Sequence, residues 1–461
     1  MTLEGISEEQ RQSVETFIAD WLTQHRIPGA AVAVAEEGSV VAEGFGARTL
    51  ENNTPVTGDT LFGIGSCTKA FTATAIMQLV EQGELAIDDP VNEYIPHLAD
   101  VPGEPVTVEE LLTHTSGMPS DDVALPLMAR QLGAGGEVPL SSEADYRRHV
   151  QGSTNRRVTD RETFFYYNSG YIMLGRIIET VSGKEFAAYL EEELLNPLGL
   201  ERATFYRDAF EEDGDRMTPY LKQEGQSSEA QFPFDPLIYP AGGLVSSVRD
   251  LAHFVREMSG GETDREEPLL AAESRALMTT PVATRSRYLD GKEVGYGYGL
   301  AIEEFLSDDL ISHGGSIGVS NAWFGYLEEA QLGVAIACTT TPDTHPTEAG
   351  KGVLAILRDE DPDEVLPYYQ LRSALETAAG EYAGYRGISQ ASVERIGSNL
   401  KLKVETAAGE QEFLIVPTSV EEGQLNCTTV DLMGMKQDVR FELQENGVDL
   451  FISRFRFTKS A

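Results

Sequence analysis

At 461 residues, with 41% of them hydrophobic, the chain is long enough for two or three domains with sizeable cores. Its formal net charge of −40, from 75 acidic against 35 basic residues, repels nucleic-acid phosphates and anionic lipid, so neither is an expected partner. No apolar run approaches the roughly 20 residues of a membrane helix, and the opening MTLEGISEEQ shows no basic region leading into an apolar stretch, so a cytoplasmic protein is expected.

Residues 11–26 read as an amphipathic helix, Ala30-Ala31-Val32-Ala33-Val34 as a buried strand, and 40–45 as its antiparallel partner across a turn at Gly38. A strand over Thr60–Ile64 runs into a helix from Thr68 to Gln82, which Gly83 ends. Thr107-Val108-Glu109-Glu110 is a capping box opening a short helix. From Gly117 to Arg161 the chain has no sustained period, which marks a functional loop. Helices resume at Tyr171–Val181, Lys184–Leu195 and Asp250–Met258, and residues 296–340 alternate apolar segments with Gly turns as strands. A charged, Pro-interrupted linker (358–364) leads into a helix ending near Ala379. Short strands then follow at 400–406, 412–416, 439–443 and 448–454, the rhythm of a small antiparallel barrel or sandwich.

Acid excess with Arg far outnumbering Lys resembles proteins of salt-loving organisms, where ions screen self-repulsion. Cys67, Cys338 and Cys427 have neither disulfide nor metal-type spacing and read as reduced, mostly buried thiols. The seven histidines are dispersed and form no H-E-x-x-H pair, so no metal and no cofactor is expected.

Chemistry gathers in three short segments. In Ser66-Cys67-Thr68-Lys69 the hydroxyl and the amine lie three positions apart, on one face of a helix. A serine becomes a good nucleophile when a neighbouring base takes its proton, and a neutral lysine can be that base. In Tyr166-Tyr167-Asn168 the phenol can relay a proton and the amide can bind lysine and substrate. In Ser312-His313-Gly314-Gly315-Ser316 small residues let a substrate carbonyl approach the backbone, and the N–H groups of Ser66 and Ser316 could form an oxyanion hole. Taken singly, each segment is matched by a bland reading: a chance string, an aromatic core patch, a structural histidine.

In this order the three resemble the serine β-lactamase/penicillin-binding-protein family, in its class C β-lactamase, esterase and D-aminopeptidase branch. Ile27-Pro28-Gly29, Leu111–Gly117, Pro197–Leu200, Pro240–Leu244 and Tyr296–Leu300 follow the family pattern as well, over about residues 15–355. The resemblance implies an α+β fold, an antiparallel sheet flanked by helices with a helical subdomain, in residues 1–357. A linker and helix (358–379) and a small lipocalin-like antiparallel barrel (380–461) follow. By that likeness Ser66 attacks, Lys69 and Tyr166 share its proton, and Asn168, His313, Gly315 and Ser316 bind substrate, while His114 is structural. The substrate is a small molecule or short peptide, and the barrel either restricts the active site or mediates assembly into a homo-oligomer. The family's third motif often begins with lysine. His313 in its place points to an esterase or peptidase rather than a dedicated β-lactamase, and to a rate that changes between about pH 5 and 8 if the imidazole titrates.

Two rival readings are testable. Gly314-Gly315-Ser316-Ile317-Gly318 matches a G-x-S-x-G nucleophile elbow, which requires a helix after the serine and an acid and a histidine downstream; only His345 follows. The other rival is a non-catalytic protein that binds penicillin or peptides or serves assembly.

Overall fold

The computed structural model describes residues 6–36, 38–98, 104–118, 143–154, 163–223, 226–261, 265, 267–342, 344–407, 409–444 and 447–460. The chain divides into two compact units, one of Met1–Ser286 with Glu293–Asp359, the other of Arg287–Lys292 with Glu360–Ala461.

In the first unit, α1 (Glu8–His25) begins at a capping box on Ser7 and Gln10 and ends at Arg26, whose φ of 54° turns the chain out of the helix. The strands β1 (Gly29–Glu36) and β2 (Ser39–Thr49) follow, paired antiparallel from Gly29 with Gly46 to Glu36 with Ser39. With β3 (Thr54–Pro55), β4 (Ala283–Arg287), β5 (Glu293–Tyr296), β6 (Ala301–Phe305), β7 (Asp308–Ser316), β8 (Ser320–Leu327) and β9 (Leu332–Thr339) they form a nine-stranded sheet in the order β3-β2-β1-β9-β8-β7-β6-β5-β4. The central strands β8 and β9 are buried at every position, which is why they read as continuous apolar runs rather than alternating ones.

Helices cover both faces, and β8 shows how. Phe324 meets Phe254 edge-on at 6.0 Å on α6 (Val248–Met258). Trp323, one residue earlier and so on the opposite face, packs on Gly350 of α7 (Pro346–Leu357) so tightly that a Cβ there would lie 2.2 Å from the indole. The remaining core joins α6 to α2 (Thr68–Glu81), α3 (Val108–Leu112), α4 (Glu143–Thr154) and α5 (Asn168–Ser182). Helix α4 departs from the expectation of an aperiodic 117–161. Only Tyr146 and Val150 bury large apolar side chains on it, too brief a stripe to register as a period. The rest of that loop expectation, at 119–142 and 155–161, lies outside the described residues.

The second unit holds a closed eight-stranded barrel: β10 (Gly380–Ala383), β11 (Gln390–Ile396), β12 (Asn399–Thr406), β13 (Gly409–Glu421), β14 (Gln424–Val430), β15 (Lys436–Gln444), β16 (Gly447–Ile452) and β17 (Phe455–Lys459). Neighbouring strands pair antiparallel and closure joins β10 to β17, which removes exposed sheet edges. Leu400, Leu402, Ile415, Leu425, Val439, Phe441, Leu450 and Phe457 fill the interior, together with Ala374, Leu375 and Ala378 of α8 (Pro367–Ala378). The small antiparallel barrel expected from the sequence is therefore present as a closed one, its bore packed with side chains.

Candidate active site

Ser66 lies in a 3-10 turn, Gly65–Cys67, that joins a short strand (Phe62–Gly63) to α2; the expected strand over 60–64 shrinks to these two residues. Lys69 is the second residue of α2 and is fully buried. The Thr68 hydroxyl donates to Gly65 O and accepts from Leu244 N–H, while Thr72 donates to Pro240 O. These bonds fasten Pro240–Leu244 onto the start of α2 and bring Ala241 O against Lys69. A hallmark segment with no side-chain chemistry of its own thus positions the amine.

Lys69 Nζ is 3.1 Å from Ser66 Oγ, 2.7 Å from Asn168 Oδ1 and 2.6 Å from Ala241 O. Asn168 Oδ1 and the carbonyl are acceptors only. They take two Nζ hydrogens, and in the neutral amine the lone pair is then left for the serine proton. Asn168 opens α5, and the Tyr166 ring centroid is 4.9 Å from Nζ. Ser66, Tyr166, Asn168, His313, Gly315 and Ser316 line one cavity of about 250 Å³. The structure therefore gathers every sequence-singled site residue, with Lys69 immediately behind the serine.

Tyr166 is set by its neighbours. His114 accepts from Tyr167 N–H through Nδ1 at 3.1 Å, and its carbonyl accepts from Phe165 N–H at 2.8 Å. His114 makes that two-point hold with φ of 58°, and its ring lies 4.3 Å from the Tyr166 ring. Burial, with the charge of Lys69 next, keeps the His114 imidazole well below the usual histidine range.

On the opposite wall, β7 presses its backbone onto the nucleophile turn. A Cβ on Gly315 would lie 1.9 Å from Ile64 O and 2.7 Å from Ser66 N; one on Gly65, where φ is 52°, would lie 2.5 Å from Ser316 N. Only glycine permits this approach, which sets the amides of Ser66 and Ser316 close to one another. The Ser316 hydroxyl donates to Asn321 Oδ1 at 2.8 Å, and the chain continues into β8 rather than a helix, so the elbow geometry is not built.

His313 is held at both ring nitrogens. Its side chain is buried, Nδ1–H donates to Gly314 O at 2.7 Å, and Nε2 accepts from Tyr296 OH at 3.0 Å. Burial first, then the charges of Arg285 and Lys69, lowers its pKa well below the usual histidine value, which favours the neutral imidazole.

Sequence reasoning missed Ile238, Ala241, Gly242, Arg285 and His345 in the cavity wall. His345 donates from Nε2 to Gly315 O and caps α7 by accepting Thr347 N–H at Nδ1, with a pKa lowered to about 4, chiefly by burial. Its place beside Pro346 at a helix start was the available signal. Cys67, next to the nucleophile, is buried with its Sγ on His313 O, and burial raises its pKa, which keeps it a thiol. Among the described residues no cluster of three His, Cys, Asp or Glu is placed to hold a metal, and no helix is long and apolar enough to cross a membrane.

A model of the Beta-lactamase family matches residues 11–357, and one described as the Pab87 octamerisation domain matches 362–458. The octameric penicillin-binding protein homologue from Pyrococcus abyssi is 34% identical with a TM-score of 0.87, over 97% of this chain and 100% of that one. Penicillin-binding protein 4 of Amycolatopsis lactamdurans is 30% identical over 319 residues, 66% of this chain and 78% of that protein. Protein flp of Staphylococcus aureus (strain MW2) is 27% identical over 256 residues, 54% of this chain; the chain spans about half of that relative, 49% of its length. A class C beta-lactamase structure, 19% identical over 77% of this chain and 98% of that one, shares the fold with a TM-score of 0.63.

Proposed function

Because the chain belongs to the beta-lactamase family, a family of serine-hydrolase type, we propose that it cleaves an ester or amide bond through an acyl-enzyme on Ser66. The observation that carries this reading is the 3.1 Å approach of Lys69 Nζ to Ser66 Oγ, with Asn168 and Ala241 taking the other bonds of the amine. Ser66 Oγ adds to the carbonyl as its proton passes to the Lys69/Tyr166 pair, and the backbone amides of Ser66 and Ser316 hold the oxyanion. The proton then goes to the departing alcohol or amine, and water repeats the path to release the acid. A neutral His313 at the head of the third motif favours an esterase or a peptidase, D-amino acid substrates included, over a dedicated β-lactamase.

Fluorophosphonate labelling followed by peptide mass spectrometry tests the nucleophile. The expected adduct is on Ser66 and is lost in Ser66→Ala; wild-type protein without it would favour the rival reading of a non-catalytic binding protein. Lys69→Ala and Tyr166→Phe are each expected to lower turnover by about two orders of magnitude or more. Chromogenic esters, D- and L-aminoacyl anilides and nitrocefin, assayed in high salt, rank the substrates.

The barrel unit is the proposed site of homo-oligomer formation. Support comes from the octamerisation-domain match and from Leu432, Met433 and Met435, exposed together between β14 and β15. Met433→Glu is expected to yield smaller species in light scattering.

A further inference from the structure

Two imidazoles grip the backbone of the third motif, and only one of them belongs to it. His313 Nδ1–H donates to Gly314 O at 2.7 Å, and His345, at the start of α7, donates from Nε2 to Gly315 O at 3.2 Å. In the neutral imidazole the His345 proton sits on Nε2, because Nδ1 accepts from Thr347 N–H at 3.3 Å to cap the helix. The ring also lies against the strand, where a Cβ on Gly314 would be 2.7 Å from its Cε1. Histidine is not among the favoured N-cap residues; asparagine, aspartate and serine cap with shorter side chains. What histidine adds at this cap is a second nitrogen further out, and that nitrogen meets a main-chain carbonyl of the cavity wall.

The carbonyl matters through the peptide it belongs to. The Gly315–Ser316 peptide is planar and trans, so its C=O and its N–H point in opposite directions. Fixing the oxygen against His345 therefore fixes the direction of Ser316 N–H on the other side. Gly315, lacking a Cβ, restrains that plane little by itself. Its backbone lies against the nucleophile turn, where an added Cβ would come 2.7 Å from Ser66 N. We propose that His345 is a positioning residue of the oxyanion hole: its bond to the Gly315 carbonyl holds the peptide plane in which Ser316 N–H faces the substrate oxygen. This proposal rests on the reading of Ser66 as nucleophile, with the Ser316 amide as an oxyanion donor.

Two substitutions separate the cap from the grip. His345→Asn keeps an acceptor for Thr347 N–H and loses the outer nitrogen. His345→Gln puts an amide N–H near the place of Nε2 and gives up most of the cap. With a chromogenic ester, His345→Asn is expected to lower kcat about tenfold or more with KM within about threefold, since an oxyanion donor acts in the transition state. His345→Gln recovers most of that kcat, although it melts at a lower temperature than His345→Asn. A small arylboronic acid, whose adduct on Ser66 places a negative oxygen in the hole, loses affinity in His345→Asn by a factor similar to that in kcat and regains it in His345→Gln. Wild-type kcat in His345→Asn, activities that follow the melting temperatures of the two variants, or a fall in kcat with boronate affinity unchanged each overturns the proposal. Wild-type protein that neither hydrolyses the ester nor forms a fluorophosphonate adduct on Ser66 removes the nucleophile reading and this role with it. An active wild type with any of those variant results removes the role of His345 alone.

Discussion

The two units bury opposite kinds of side chain. In the first, Lys69, His114, Asp250, Glu257, Glu303, His313 and Lys351 all lie within the core. In the barrel unit Thr429 is the one buried polar residue among those described. Buried ionisable groups are costly unless they are paired or hydrogen-bonded, so a fold retains them where they do something. The contrast teaches that buried ionisable groups are concentrated in one unit, while the barrel is held by apolar packing.

The sharpest way to break this contrast is to remove a buried partner from the first unit. Lys351 Nζ pairs with Glu303 at 2.7 Å, both nearly inaccessible. Lys351→Met leaves a buried carboxylate and is expected to destabilise that unit by about 3–5 kcal/mol, read as a lowered first transition in calorimetry. Lys351→Met with Glu303→Leu should recover most of the loss. The mirror experiment is Leu450→Ala in the barrel, expected to cost about 2–5 kcal/mol while ester turnover per folded protein is unchanged. A barrel variant that stays folded but loses turnover would collapse the division of labour.

Acid sharpens the contrast from another side, since all seven histidines precede residue 346 and none lies in the barrel. His345, near 4 when folded and near 6.5 when unfolded, binds its proton more readily in the unfolded chain. Its stabilising contribution is present above pH 6.5 and falls by up to about 1.4 kcal/mol per pH unit toward pH 4. His114 and His313 act in the same direction. Asp250, raised by burial to about 6, acts oppositely, its contribution growing as pH falls through that value. Melting curves from pH 7.5 to 4.5 should lower the first transition more than the second, and Asp250→Asn should steepen that loss.

The smallest expected effect concerns Tyr166. His114→Ala releases the side-chain half of its hold on 165–167 and is expected to lower turnover about tenfold. His114→Asn, which tolerates the left-handed backbone and keeps an acceptor, should restore part of it. Equal rates in the wild type and both variants would show that Tyr166 is positioned otherwise.

How much could be read without coordinates follows the same divide. Ser66, Lys69, Tyr166, Asn168 and the His313–Ser316 run stood out because three local strings occur in a family order, although the periods placed Ser66 on a helix rather than in its 3-10 turn and began the later helix at Tyr171 rather than Asn168. Arg285 did not, since nothing in Thr284-Arg285-Ser286-Arg287 distinguishes a solvated edge from a cavity wall until the sheet brings that edge to the serine. The burial of His313 and its two ring contacts were equally hidden, because they depend on Tyr296 and Gly314. In the barrel, the strands at 400–406 and 439–443 carry clear alternation, whereas Gln390–Ile396 shows only Ala391 and Val393 turned inward and Gly380–Ala383 is too short to carry a pattern.

Where Gly65 and Gly315 meet, main chain rests on main chain with no side chain between. That contact cannot be retuned by substitution, while the strand bearing Arg285 stands at the margin with its residues facing solvent. The arrangement separates what a side-chain change can reach from what it cannot: the rim can be altered residue by residue, whereas the seam of Gly65 and Gly315 admits no side chain at all.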